Sequence, residues 1–166
     1  MGKDEPIAPD RDRDAAGRPR NARPRDEFGR PLPRTGSGML KATDDEPALP
    51  PDAGLDRAQA LIDEGRPFHA HEVLEAIWHV APPEERGLWQ GLAQVAVGLT
   101  HAQRGNGVGA LTLLRRGSDA VARHVGADHG VDINGLVKSC ARLAEVIDRD
   151  GVAAVSAADL VLRLRR

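Results

Sequence analysis

The pattern of apolar and polar residues changes near residue 54. From there to about residue 149, apolar residues recur at spacings of three and four, as they do along one face of an α-helix. This spacing predicts a first helix from Leu55 up to Gly65, followed by four helices at about 68–79, 84–103, 108–125 and 133–149. We therefore expect an all-α fold, a single up-and-down bundle of about five helices.

Glycine, proline and acidic residues mark the turns between these helices. Gly65 closes the first helix and Pro67 opens the second, so we expect a tight hairpin between them. The prolines of "APP" at 81–83 end the second helix. The next two residues, Glu84 and Glu85, are expected in the first turn of the third helix, where carboxylates interact favourably with the helix dipole.

The pattern weakens after Gly151, where two interpretations remain open. Ser156 with Asp159 resembles a capping pair and predicts a short last helix. The final residues, "DLVLRLRR", instead alternate between apolar and polar as a strand does.

Residues 1–53 form a separate region in which Pro, Gly, Arg and Asp dominate. We expect a flexible, disordered Arg/Pro-rich arm there, because such a composition buries too little apolar area to offset the entropy of ordering. Residues 54–166 form the helical-bundle domain. Residues 17–34 of the arm carry six Arg against Asp26 and Glu27, a local charge of +4. Aromatic residues for base stacking are lacking there except Phe28, which argues against nucleic acid as a partner.

Composition narrows the classes of protein further. The net charge of −2 gives no general attraction to nucleic acid or anionic lipid. The single cysteine, Cys140, excludes an internal disulfide and falls on the apolar face of the fifth helix. The uncharged run at 87–103 is shorter than the roughly 20 residues that a bilayer requires, and the N-terminus lacks an apolar signal segment. We expect a cytoplasmic protein with no membrane partner.

Polar residues interrupt the apolar faces of the second and third helices. On the second helix, helical spacing places Phe68, His71, Glu75 and Trp78 on one face, with Glu72 at its edge, and on the third it aligns Gln90, Gln94 and His101. If the two lines face each other, a buried site forms between these helices. The candidate catalytic residues are His71, Glu75 and His101, and the candidate ligand-binding residues are Glu72, Trp78, Gln90 and Gln94.

Burial would force these polar groups to be hydrogen-bonded, hydrated or ligated, since an unpaired buried amide or carboxylate is costly. A carboxylate beside an imidazole also prepares it for proton transfer. The stripe is thus a candidate small-molecule-binding or hydrolytic pocket. The other interpretation is a network that only fixes how the helices pack.

Metal motifs are lacking. The segment "HEVLE" places Glu75 where the second histidine of H-E-x-x-H would stand, and no paired E-x-x-H motifs occur. We assign no metal ligands and leave the cofactor unknown. His69 and His79 fall off the His71 face, and the histidines at 124 and 129 flank a loop with no evident role.

The segments "PFHAHEVLEAIWH", "LWQGLAQVAVGLTHAQRGN" and "GALTLLRRG" resemble the bacterial and archaeal family called domain of unknown function 309 over residues 55–149. The Arg/Pro stretch also resembles the N-terminal extension of actinobacterial members. The resemblance implies an all-helical protein and supplies no activity. The family motif maps onto His71, Glu72, Glu75, Trp78, Gln90, Gly91, Gln94 and His101.

Two classes of function remain open, and the sequence does not decide whether the protein is an enzyme. One is the polar pocket with a small-molecule ligand. The other is a protein-interaction or self-association module, with a homo-oligomer as its simplest form and a structural role for the polar stripe.

Overall fold

The computed structural model describes residues 48–124 and 129–166, and within these ranges it confirms the all-α fold. Its five α-helices are α1 (Pro51–Asp63), α2 (Pro67–Val80), α3 (Arg86–Gln103), α4 (Gly107–Ala122) and α5 (Ile133–Asp150). Each helix packs against the next in the chain, as in an up-and-down bundle. Residues 1–47 of the proposed arm lie outside the described residues. α1 begins at Pro51, so its first turn includes residues that we assigned to the arm.

The turns follow the sequence signals closely. Gly65 adopts a φ of 72°, and the N–H of Arg66 donates to the carbonyl of Leu61, so α1 and α2 form the expected tight hairpin. The side chains of Asn106 and Asp132 cap α4 and α5 by accepting from the N–H groups of Gly109 and Gly135.

α3 is the most buried helix of the described bundle, as its uncharged sequence predicted. Glycine permits α4 to approach it closely. A Cβ on Gly91 would lie 2.9 Å from the carbonyl oxygen of Gly117, and a Cβ on Gly117 would lie 2.7 Å from that of Gly91. A Cβ on Gly98 would stand 3.0 Å from the backbone nitrogen of Leu114. These contacts involve backbone, so no side-chain adjustment relieves them.

The C-terminal segment combines both interpretations of its sequence. Ser156 and Asp159 form the expected reciprocal capping bonds, but they close the 3₁₀ turn Ala158–Leu160 rather than an α-helix. Leu162 and Leu164 then alternate into the core as in a strand. Gln59 fixes this extended segment, because its side chain donates to the carbonyl of Leu162 and accepts from the N–H of Leu164. Val131 and Arg165 form an isolated antiparallel bridge.

None of the helices in the described ranges has the length and apolarity needed to cross a bilayer.

Candidate functional site

The polar line of α2 is centred on the carboxylate of Glu75. Nε2 of His71 lies 3.3 Å from one oxygen of Glu75, and Nε2 of His79 lies 3.9 Å from the other. One carboxylate therefore stands between two imidazoles a helical turn away on either side. His79 is largely exposed, as expected for a residue off the His71 face, and its side chain reaches back along the helix to Glu75. Its ring also stacks on Trp78 at 4.9 Å.

α3 brings Gln94 to about the height of Glu75. The side-chain amide of Gln103 donates to the carbonyl of Gly65 over 2.8 Å, which fixes the antiparallel register of α2 and α3. Gln94 lies nine residues before Gln103 in α3, and Glu75, in α2, lies ten residues after Gly65. At the rise of an ideal helix, both are about 14–15 Å from the Gln103–Gly65 hydrogen bond. Gln90, another candidate residue on α3, lies one helical turn before Gln94. The same rise places it close to the level of Trp78 on α2. We call His71, Glu75, His79, Gln90 and Gln94 the α2–α3 strip.

Gln94 has an unsatisfied amide oxygen. Its Oε1 is buried and finds no hydrogen-bond partner within the described residues. The rest of the side chain remains partly exposed, so the amide lies at the border between core and solvent. A buried carbonyl left in this state costs about 1–3 kcal/mol. Packing alone would place an apolar side chain here.

His101 belongs to a different place in the molecule. It lies seven residues, about 10 Å, beyond Gln94 along α3. Its Nδ1 is 2.8 Å from Nδ2 of Asn106, whose side-chain oxygen caps α4 through the N–H of Gly109. By this helical rise, His101 lies about 10 Å from the height of Glu75. Its imidazole instead orients the cap of the next helix.

The α2–α3 strip is also less secluded than expected. All seven candidate residues from the sequence analysis are partly exposed. Within the strip, the side chains of His71, Glu75 and His79 expose 21%, 41% and 65% of their areas. The reason is that small and aliphatic residues of α2, such as Ala70, Leu74 and Ile77, fill the contact with the core. The polar line is left along the edge of that contact, with Glu72 and Trp78 beside it.

A second cluster, which the sequence did not reveal, lies where α3 begins. A turn precedes α3, in which the carbonyl oxygen of Pro82 accepts hydrogen bonds from the N–H groups of Glu85 and Arg86. The helix itself begins at Arg86. Glu85 therefore stands at the N-cap, not inside the first turn as expected. One of its oxygens accepts from Nε1 of the fully buried Trp89 at 3.1 Å and lies 2.9 Å from Nε2 of His129. We call Glu85, Trp89 and His129 the Glu85 cluster.

The Glu85 cluster is tightly constrained. The hydrogen bond from Trp89, followed by that from His129 and its charge, holds the pKa of Glu85 below its ordinary value against the opposing effect of burial. The ring of His129 lies 5.3 Å from that of Trp89, and its backbone adopts a φ of 28°, which is uncommon outside glycine. The Glu85–Trp89 spacing of four was visible in the sequence, but nothing there linked either residue to position 129.

Metal binding finds no support in the described ranges, where no group of three or more His, Cys, Asp or Glu residues is placed to hold an ion. Two grooves in the same ranges lie away from the α2–α3 strip. One runs between α4 and α5, and the other between α5 and the C-terminal segment.

Comparison with known proteins finds two partial similarities. "Uncharacterized protein YpuF" of Bacillus subtilis (strain 168) is 36% identical to this chain over 70 residues, which are 38% of the chain and 40% of the relative. The match thus spans less than half the length of that relative, and its name assigns no activity. No solved structure matches the chain. Residues 55–113, from α1 into α4, match the family model described as Domain of unknown function (DUF309), which confirms the resemblance noted from the sequence for these residues.

Proposed function

We propose that the α2–α3 strip binds a small polar molecule and exchanges a proton with it. The observation that carries this proposal is the buried, unsatisfied Oε1 of Gln94. A bound molecule that donates an N–H or O–H to this oxygen removes an energetic cost that the unliganded protein bears. Residues kept at a cost to stability are typical of binding sites.

The neighbouring ion pair supplies the proton chemistry. Glu75 lies 3.3 Å from His71, so the carboxylate orients the imidazole. A molecule held by Gln94 lies at about the height of this pair. His71 with Glu75 is then placed to accept or return a proton, which is the step that a hydrolytic reaction also requires.

Replacing Gln94 tests the proposal. We expect Gln94→Met to raise the melting temperature by about 1–3 °C, because it removes a polar atom that has no partner. The same variant loses saturable binding of primary amides and small alcohols, measured by ligand-observed NMR. Glu75→Gln keeps the fold and weakens this binding.

Gln103→Met is the matched control on the same helix. Gln103 also has a buried Oε1, but its Nε2 donates to the carbonyl of Gly65. Its replacement lowers the melting temperature and leaves binding unchanged. If Gln94→Met behaves like Gln103→Met in both measurements, the strip is structural and the proposal fails.

The partial exposure of the strip favours a second candidate, a protein-interaction surface. Trp78 packs on the core yet remains partly accessible, and the exposed ring of His79 lies stacked on it. Aromatic side chains in this setting are frequent anchors of protein interfaces. For this candidate, Trp78→Ala changes the oligomeric state in size-exclusion chromatography with light scattering, whereas Gln94→Met does not.

A further inference from the structure

The groove between α4 and α5 is separate from the α2–α3 strip. It has a volume of about 470 Å³, within the range of small-molecule sites. Its apolar lining consists of Leu114 from α4 and of Val137, Cys140, Ala141 and Ala144 from α5. The side chains contributed by α5 are mostly small, which leaves the space between the two helices open.

The hydroxyl-bearing residue Ser118 lines this groove. Ser118 is only 8% exposed and lines the cavity, and within the described residues its hydroxyl makes no hydrogen bond. The other nearly buried polar side chain in these ranges, Thr100, donates to the carbonyl of Ala96. Ser118 thus leaves a donor and an acceptor directed at whatever occupies the groove.

The charges around the groove are mainly negative. Arg115 and Asp148 form a 3.4 Å ion pair across it, which cancels one charge of each sign. Asp119 on α4 and Glu145 on α5 form no ion pair within the described ranges, so carboxylates remain on both walls. The neighbouring thiol adds no charge, because burial raises the pKa of Cys140 to about 12.

We infer that this groove is a binding site for a small organic cation with an apolar body. The aliphatic lining accepts the body, while Ser118 accepts a hydrogen bond from the cationic head. Asp119 and Glu145 provide the opposite charge on either wall. The volume admits a molecule of drug size, and an apolar molecule without charge leaves the carboxylates unused.

Three probes of equal chain length test the inference: hexylammonium, hexan-1-ol and hexanoate, titrated into the full chain and followed by two-dimensional amide NMR. We expect hexylammonium to bind saturably, with shifts centred on α4 and α5, more tightly than the alcohol and far more tightly than hexanoate. Ala141→Leu fills the exposed part of the groove and abolishes binding. Glu145→Gln weakens binding about threefold, because one ion pair is lost.

Glu84→Gln is the control for charge alone, since Glu84 is an exposed glutamate outside the groove. It leaves the affinity for hexylammonium unchanged. Equal affinity for hexylammonium and hexan-1-ol overturns the inference that the groove selects a positive charge. Shifts that do not saturate, or binding that survives Ala141→Leu, overturn the site itself. Tight binding of a basic amphipathic peptide, with no binding of hexylammonium, replaces the small cation with a protein partner and also overturns the inference.

Discussion

The α2–α3 strip and the Glu85 cluster use the same chemical groups in opposite ways. Both combine a glutamate with histidine and lie beside a tryptophan. In the strip the side chains of Glu75 and His79 expose 41% and 65% of their areas, and one buried amide oxygen has no partner within the described residues. In the Glu85 cluster the carboxylate satisfies a buried indole and contacts an imidazole, each within about 3 Å.

This difference separates the proposed binding surface from a structural joint. A fully paired cluster lowers the energy of the unliganded fold and leaves little for a ligand to satisfy. An incompletely paired strip raises the energy of the unliganded fold and leaves a polar atom that a ligand can satisfy. Residue types alone therefore do not distinguish the two regions. The hydrogen-bond partners of each polar atom distinguish them.

The largest contrast is expected between the two tryptophans. Trp89→Ala empties a fully buried site and removes the donor to Glu85, so we expect a loss of about 3–5 kcal/mol in the free energy of unfolding. Trp78→Ala costs clearly less, because Trp78 is partly exposed. Denaturant unfolding monitored by circular dichroism measures both. Equal losses for the two variants would remove the distinction between joint and surface.

A smaller effect is expected at the turn that His101 supports. Asn106→Ala removes the cap of α4 and costs about 1 kcal/mol. His101→Ala costs part of this amount, since it frees the Asn106 side chain without removing it. Neither variant changes ligand binding at the strip. Thermal unfolding and the NMR screen check this expectation, and a loss of binding in His101→Ala would return His101 to the candidate site.

The smallest effect concerns pH. The folded pKa of Glu85 lies below its ordinary value of 4.5, so its contribution to stability is present above about pH 4.5 and is lost as pH falls through the folded pKa. We expect Glu85→Gln to lower stability at pH 7 by about 1 kcal/mol or less, given the partial exposure of the pair.

Thermal unfolding of wild type and Glu85→Gln at several pH values measures this difference. The two melting temperatures should converge towards pH 3. A gap that stays constant with pH would mean that the Glu85 carboxylate gains nothing from its charge. The same melting temperatures measured for Glu75→Gln provide the comparison from the α2–α3 strip.

The contact between His71 and Glu75 is the part of the candidate site that follows from the sequence alone. His71 and Glu75 are four residues apart on one helix, and that spacing places them in contact wherever the helix packs. The sequence could not show how far His101 lies from Gln94, because a shared helix face says nothing about distance along the axis, and seven residues amount to about 10 Å. The burial of the strip was overestimated for a related reason. Periodicity defines a face, but the neighbouring helix decides which edge of that face it covers.

The sequence by itself determined the five helices with their turns and caps, because these depend on spacings of a few residues and on local hydrogen bonds. Only the tertiary structure decided that His129 meets Glu85 across 44 positions and that Gln94 keeps an unsatisfied oxygen. It also decided that a groove opens beside Ser118. These features arise from the packing of helices against one another, and no periodicity within a single helix encodes such contacts.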